Sequence, residues 1–154
     1  TQKAAKVKNL DAVASANAYA QTAVSMYDAF ISCWYVKYST VRIRPQTAIQ
    51  RLIEPTWTSF IQTPPFPEYT SGHSTVSSTA AEVLTSIFGD NFAFTDSSEL
   101  EFNLPVRSFK SFREAALEAS VSRVYGGIHY RSGCESGNKQ GKDLAKIILT
   151  KFGE

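Results

Sequence analysis

The chain has 154 residues, of which 19% are charged and 12% aromatic, and its formal net charge is +2. This composition is typical of a globular domain and excludes a disordered chain, and so small a charge gives no reason to expect nucleic acid as a partner. No apolar run approaches the roughly 20 residues that span a bilayer, so we predict no membrane span.

The first half of the chain predicts two helices and a loop. Residues 11–38 contain no Gly or Pro, and their apolar residues recur at spacings of three to four, which predicts one long amphipathic helix. Pro45 ends this segment, because the residue before a proline avoids the α region. A short helix is predicted over residues 46–53, and the prolines of residues 54–69 predict an extended loop. The apolar positions of the long helix are Ala20, Val24, Tyr27, Ile31, Trp34 and Tyr35.

The second half predicts three further helices. The Ala-rich stretch that follows Ser71 predicts a long helix, which Gly89 ends because glycine can take a positive φ. Ser111 and the glutamate three residues later have the spacing of a capping box, which predicts a third long helix to about residue 125. Apolar residues that recur among lysines predict a fourth long helix over residues 135–152.

Between the second and third of these long helices, "FAFTD" and "LEFNL" predict a small β-hairpin within residues 90–107. The predicted fold class is therefore all-α, a helical bundle with this hairpin, in a single domain over residues 1–154. Cys33 and Cys134 are the only two cysteines. We expect both to be buried free thiols rather than a disulfide.

The stretch "TSGH" places Ser71, Gly72 and His73 at the start of a predicted helix. The first turn of a helix presents unpaired N–H groups and a partial positive charge, so it can seat an oxyanion. Gly72 allows close approach, and Ser71 adds a hydroxyl donor. The dipole disfavours the protonated form of His73, which suits this histidine to proton exchange near neutral pH. The alternative is an ordinary N-cap beside an incidental histidine.

Two other stretches supply cations. In "KYSTVRIRP", Lys37 lies in the last turn of a helix and Arg44 follows in an extended segment. In "SRVYGGIHYR", paired glycines can bend the chain so that Arg123 and His129 converge. Taken alone, the first stretch can be a pair of solvated charges at a helix end, and the second can be an ordinary helix interrupted by glycines. Together with "TSGH" they provide three cations and several neutral donors, enough to enclose a tetrahedral dianion, with one histidine for its central atom and one for a proton.

Taken in this order, these residues resemble the three-part signature of the vanadium-dependent haloperoxidases, whose superfamily includes type-2 phosphatidic acid phosphatases and bacterial acid phosphatases. The signature is Lys, six residues, Arg-Pro; then Pro-Ser-Gly-His; then Ser-Arg, five residues, His. The run "TPPFPEYTSGHSTVSSTAAEVL" is more similar to bacterial haloperoxidase-like proteins than to the lipid phosphatases. The matching residues are Lys37, Arg44, Pro45, Ser71, Gly72, His73, Ser122, Arg123 and His129.

The resemblance implies a role for each matched residue. His129 would bind vanadium through an imidazole nitrogen, and His73 would be the acid–base group for peroxide. Trp34 and Phe66 would wall the halide side, as similar residues do in some haloperoxidases. The oxygens of vanadate, or of phosphate or sulfate in its place, would be held by Lys37, Arg44, Ser71, Gly72 and Arg123.

The chain departs from the signature at two positions. Thr70 replaces the proline before Ser71, which is a mild change. Gly133 stands where an aspartate often follows the second histidine, so the group that orients His129 must come from elsewhere, and Glu135 is a candidate.

The expected activity is vanadate-dependent oxidation of iodide or bromide by hydrogen peroxide. The alternatives are a soluble acid phosphatase that acts through a phosphohistidine, and a non-catalytic anion-binding remnant. The resemblance is to the C-terminal part of longer proteins, so we expect a large apolar interface with the N-terminal segment of the same precursor, while further oligomers stay open. It also implies a secreted or periplasmic protein.

Overall fold

The structure, a computed structural model, describes residues 1–153. It is mostly helical, which confirms the predicted fold class. A 3₁₀ turn occupies Leu100–Phe102. None of the described helices combines the length and the hydropathy that a bilayer span requires. The helices are α1 Gln2–Val7, α2 Ala12–Thr40, α3 Pro45–Leu52, α4 Gly72–Phe88, α5 Phe112–Tyr125 and α6 Arg131–Phe152, and the strands are β1 Phe94–Asp96 and β2 Arg107–Phe109.

Side-chain caps mark the starts of α2, α4 and α5. Asp11 caps α2, since its carboxylate accepts a hydrogen bond from Ala14 N at 2.8 Å. Ser71 and Ser111 cap α4 and α5 in the same way, as predicted. Helix α6 begins at Arg131, four residues before the predicted start at residue 135. The apolar repeat that indicated this helix is confined to its C-terminal half, so it could not locate the first turn.

The predicted hairpin exists, but its second strand is different. Strand β1 pairs antiparallel with residues 107–109, with Phe94 opposite Phe109, whereas "LEFNL" forms the 3₁₀ turn between the strands. Asn103 takes a left-handed conformation with φ of 59°, which ends that turn. The pairing brings the rings of Phe94 and Phe109 to a centroid distance of 5.4 Å, and Phe94 also stacks on Phe112.

Helix α4 lies at the centre of the bundle and packs against α2, α5 and α6. The contact with α6 is close because α6 carries glycines there. A Cβ at Gly141 would lie 2.3 Å from Thr75 O, and one at Gly137 would lie 2.8 Å from Ser71 O. An aromatic cluster of Phe88, Phe92 and Phe112 closes the other end of the core. The two cysteines are buried free thiols, as expected.

The apolar stripe of α2 faces outward, although in an amphipathic helix such a stripe faces the core. Tyr27 and Tyr35 are 69% and 75% exposed. The buried face of α2 is instead made of small and polar residues: Ala18, Gln21, Thr22, Ser25, Ala29, Cys33 and Lys37. Small side chains let α4 approach closely, and Lys37 ends this buried face.

Candidate active site

The three sequence stretches meet where α2 ends and where α3 and α4 begin. Arg44, Gly72, His73 and His129 line one cavity of about 270 Å³. Lys37 and Ser71 do not line it, and both are fully buried. The chain fold therefore brings together residues that lie up to 85 positions apart.

Lys37 is held by backbone carbonyls of the proline-rich loop. Its Nζ donates hydrogen bonds to Pro67 O at 2.9 Å and to Glu68 O at 3.0 Å. Burial, with a smaller contribution from the positive charge of Arg44, lowers the pKa of Lys37 from 10.5 to about 8. At neutral pH this side chain is a buried cation whose charge is easily lost.

Arg44 is the residue before the first turn of α3, and its extended backbone, with φ of −75° and ψ of 154°, is set by Pro45. Its Nε donates to Phe66 O at 2.9 Å and one NH1 hydrogen to Ile128 O at 2.8 Å. The same NH1 lies 3.0 Å from His129 Nε2. Arg44 therefore connects the loop before α4 to the segment that carries His129.

His129 is buried and has a partner on each ring nitrogen. Its Nδ1 lies 2.7 Å from Glu68 Oε1, and its Nε2 faces Arg44. Because arginine only donates, the Arg44 contact requires an unprotonated Nε2, and Nδ1 then carries the proton toward the carboxylate. The pKa of His129 is lowered, chiefly by burial and further by Arg44, although the hydrogen bond to Glu68 opposes this. The result is a neutral imidazole with its Nε2 lone pair among cations.

His73 lies in the first turn of α4 and lines the cavity while its side chain remains exposed. Its pKa is lowered, first by partial loss of water around the ring and then by the positive charges of Arg123 and Lys37. Arg123 lies in the last turn of α5, where its Nε contacts Ser122 Oγ at 3.0 Å. Neither Arg123 nor Lys37 lines the cavity, but both lie near enough to His73 for their charges to lower its pKa.

The start of α4 presents donors toward this region. Ser71 Oγ accepts the N-cap bond from Ser74 N at 3.3 Å, so its O–H is still a donor. Gly72 is the first residue of α4, and its N–H has no partner within the helix. A Cβ at Gly72 would lie 3.4 Å from the Trp34 ring, which is an ordinary van der Waals contact, so this glycine faces the aromatic side of the site.

Aromatic rings cover one side of the cations. Trp34 and Phe66 contact each other with ring centroids 5.1 Å apart. Lys37 Nζ lies 5.3 Å from the Phe66 centroid and 5.7 Å from that of Trp34, and Arg44 Cζ lies 5.0 Å from Phe66. Phe30, which sequence reasoning missed, stacks on Trp34 at 3.7 Å one helical turn earlier and lines the cavity as well.

Glu135, the sequence candidate for orienting His129, is exposed and does not contact that histidine. The carboxylate on His129 belongs to Glu68, which is fully buried and also pairs with Arg42 Nε through Oε2 at 3.0 Å. The sequence signal that could have identified Glu68 is a single acidic residue within the apolar, proline-rich segment "PPFPEYTSGH". An acid that is buried there requires a polar or charged partner.

Comparison with known proteins gives the family. A family model described as "VCPO second helical-bundle domain" matches residues 53–153. A crystal structure described as the first bacterial vanadium-dependent iodoperoxidase shares 54% sequence identity, with a TM-score of 0.93, over 96% of this chain and 36% of that chain. A comparison with curated proteins gave no match.

A bacterial vanadium-dependent chloroperoxidase, in its holo and apo forms, matches with 19% identity and a TM-score of 0.72. Each match covers 85% of this chain, and 35% or 36% of the other. At this identity the likeness shows the fold alone. The chain spans about a third of the length of these solved structures, and it belongs to the vanadium haloperoxidase family, with a second helical-bundle domain of that family over residues 53–153.

The donor set of the site fits a tetrahedral oxyanion such as vanadate. Its main groups are Arg44, a helix N-terminus and a neutral imidazole nitrogen, with Lys37 buried behind the aromatic rings and the charge of Arg123 felt at His73. In the described part of the chain, no cluster of three or more His, Cys, Asp or Glu side chains could hold a metal ion. The cationic and neutral donors around the cavity suit an anion, because charge-assisted hydrogen bonds to anionic oxygens are the strong ones.

Proposed function

We propose that this chain carries the vanadate-binding part of an enzyme that oxidises iodide or bromide with hydrogen peroxide. The observation that carries the proposal is His129: a neutral imidazole whose Nε2 faces Arg44 at the wall of a cavity. When bound, vanadate would supply an electrophilic centre at which hydrogen peroxide is activated for oxygen transfer to a halide. His129 Nε2 would be its only nitrogen ligand.

The cations of the site would hold the oxygens of the anion. Lys37, Arg44 and Arg123 supply charge, while Ser71 and the Gly72 amide supply neutral donors. Charge-assisted hydrogen bonds of this kind are short and strong, and they strengthen further where water is excluded. The ring of Phe66 against both Lys37 and Arg44 limits the water around these two cations.

His73 is the proposed acid–base group. In the overall reaction a halide ion loses two electrons, the O–O bond of hydrogen peroxide breaks, one oxygen joins the halogen, and the other leaves as water after taking up a proton. His73 is neutral near pH 7 because its pKa is lowered, so it can accept a proton from peroxide and return it to the departing oxygen. Its position at the exposed mouth of the cavity suits exchange with solvent.

The halide side is proposed to be the aromatic wall of Phe30, Trp34 and Phe66. These rings would partly desolvate the halide and keep the hypohalous product away from charged groups. The direct test is to incubate the full-length protein with vanadate, peroxide and iodide or bromide, and to add phosphate as a competitor. Phosphate should suppress halide oxidation, because it competes for the same cations.

Two results of these assays would contradict the proposal. Hydrolysis of a phosphate ester without any halide oxidation would mean that His129 Nε2 acts as a nucleophile toward phosphorus, which makes the protein a phosphatase. No activity in either assay, with the full-length protein folded, would mean an anion-binding remnant.

We also propose that the exposed face of α2 packs against the N-terminal segment of the same precursor. This face carries Val13, Tyr19, Val24, Met26, Tyr27, Phe30, Ile31, Tyr35 and Tyr38, all at least 40% exposed. So much exposed apolar surface on one helix is typical of an interface, and an obligate interface would bury well over roughly 2,000 Å².

A matched pair of substitutions in the full-length protein tests this packing. Ile31 on α2 and Ile147 on α6 are 52% and 60% exposed in this chain. If the α2 face is covered, Ile31→Ser should lower the free energy of unfolding by roughly 2 kcal/mol, the value of burying such a side chain. Ile147→Ser should change it by less than about 0.5 kcal/mol. Equal effects of the two changes in chemical denaturation would contradict the proposal.

A further inference from the structure

We propose that Glu68 is the positioning residue for His129, and that Gly133 leaves open the space that the Glu68 carboxylate fills. The inference adds a residue to the proposed site, and the expected effect of Glu68 on vanadate binding rests on the proposed function. It assigns to a residue of the loop before α4 the task that an aspartate at position 133 would otherwise perform.

The first argument is the geometry of the carboxylate. Glu68 Oε1 lies 2.7 Å from His129 Nδ1 and accepts a hydrogen bond from Tyr130 N at 3.2 Å. Oε2 forms an ion pair with Arg42 Nε at 3.0 Å, without the geometry of a hydrogen bond. The side chain is fully buried, and its position is fixed chiefly by the two contacts of Oε1.

The second argument concerns the proton on His129. An ionised carboxylate only accepts hydrogen bonds, and an arginine only donates them. Glu68 on Nδ1 and Arg44 on Nε2 therefore select the same tautomer from opposite sides, with the proton on Nδ1. A carboxylate behind a ligating histidine fixes its ring and raises its basicity, and removal of such a partner typically weakens metal binding about 10- to 100-fold.

The third argument is the space at Gly133. A Cβ built there would lie 2.0 Å from Glu68 Oε1 and 2.8 Å from its Cδ. The backbone of Gly133 cannot move aside easily, because its carbonyl accepts a hydrogen bond from Ser71 N at 3.0 Å. A side chain at position 133 and the present position of the Glu68 carboxylate therefore exclude each other.

The backbone of Glu68 makes hydrogen bonds of its own, so the side chain can be changed without removing them. Its carbonyl binds Lys37 Nζ, and its N–H donates to Arg42 O at 2.9 Å. A change of the side chain leaves both backbone groups in place. Loss of anion binding in such a variant would then report on the carboxylate and not on Lys37.

The experiment compares five forms of the full-length protein: the wild type, Glu68→Ala, Gly133→Asp, the double variant with both changes, and Glu135→Gln as an exposed control. Binding of inorganic vanadate is measured by titration calorimetry. The tautomer of His129 is read from ¹⁵N imidazole NMR of the anion-free protein, with the signal assigned by loss in His129→Gln. Thermal unfolding of each form shows whether it is folded.

We expect Glu68→Ala to bind vanadate about 10- to 100-fold more weakly and to shift the Nδ1–H signal, because that N–H loses its acceptor while Arg44 still faces Nε2, and Glu135→Gln should change neither. Gly133→Asp alone should also weaken binding, because two carboxylates compete for one space. The double variant should bind more tightly than either single variant, since the new aspartate replaces the carboxylate that was removed. If Glu68→Ala does not fold, Glu68→Gln takes its place, because it keeps the shape and removes the charge.

Two results would overturn the inference. One is a folded Glu68 variant with wild-type vanadate affinity and an unchanged imidazole spectrum. The other is a folded double variant whose loss is the sum of the two single losses. If the wild type itself does not bind vanadate, the proposed function fails, and the imidazole spectra still decide whether Glu68 positions His129.

Discussion

The charge of Lys37 gives a prediction that can be worked out from the structure. In the anion-free chain its pKa is lowered to about 8, so the side chain is mostly charged at pH 7 and mostly neutral at pH 9. A bound dianion raises this pKa again, because an opposite charge favours the charged form. The anion-bound state therefore holds more protons than the free state above pH 8, and anion affinity must fall as the pH rises through this value.

The size of the effect follows from the same value. Above its pKa the cost of recharging Lys37 is about 1.4 kcal/mol for each pH unit, which is a factor of ten. Between pH 7 and pH 9 the affinity should therefore fall about tenfold. This figure counts Lys37 alone: both histidines are neutral at pH 7 in the anion-free chain because their pKa values are lowered, and any proton that they take up with the anion is also taken up by a Lys37 variant. Arginine stays charged throughout.

Sulfate is the suitable probe, because its own charge does not change in this range. Its dissociation constant would be measured by calorimetry at several pH values, for the full-length protein and for Lys37→Met. Methionine keeps a long unbranched side chain without the charge. We expect Lys37→Met to bind more weakly at pH 7 and to lack this tenfold fall in affinity between pH 7 and pH 9. The same tenfold fall in both proteins would refute the assignment to Lys37.

The remaining predictions concern the histidines and the packing of the helices. His129→Ala should abolish vanadate binding through nitrogen, whereas His73→Ala should keep vanadate bound and lower kcat by about 10²- to 10⁴-fold; calorimetry and halide oxidation separate the two, and the opposite pattern would reverse the roles. Gly141→Ala should lower the free energy of unfolding by about 1 to 3 kcal/mol, because its Cβ would lie 2.3 Å from Thr75 O. Glu135→Ala on the exposed face of α6 should leave thermal unfolding nearly unchanged, and equal effects would contradict the close packing.

Much of the site could be predicted because its residues lie at helix ends that the sequence marks clearly. Ser71 caps α4, and Pro45 fixes the direction of the chain after Arg44. The convergence of Arg44, Gly72, His73 and His129 was expected from the three stretches taken together and from the resemblance, and not from any one local pattern. The catalytic roles of these residues stay predictions.

Glu68 could not be assigned from the sequence, because its partner His129 lies 61 positions away. A local search for an acid near the histidine leads to Glu135, which is four residues into α6 and points to solvent. Only the structure shows that the glycine at position 133 and the glutamate at position 68 compete for one space. The predicted pairing of the hairpin was wrong for a related reason. Phe94 lies opposite Phe109 and packs against the rings of Phe109 and Phe112, and the local sequence does not indicate these contacts.

The periodicity of α2 identified a helix correctly but did not show which side is buried within this chain. Hydrophobic spacing measures which face prefers to leave water, and it does not say which surface covers that face. In α2 the chain's own core takes the small, polar face, because α4 and the buried Lys37 must fit there. Phe30 and Trp34 line the cavity from the same helix that carries the exposed apolar stripe, so a segment that covered this stripe would also act on one wall of the candidate site. Packing on the exposed face of α2 and the geometry of the candidate site are therefore expected to depend on each other.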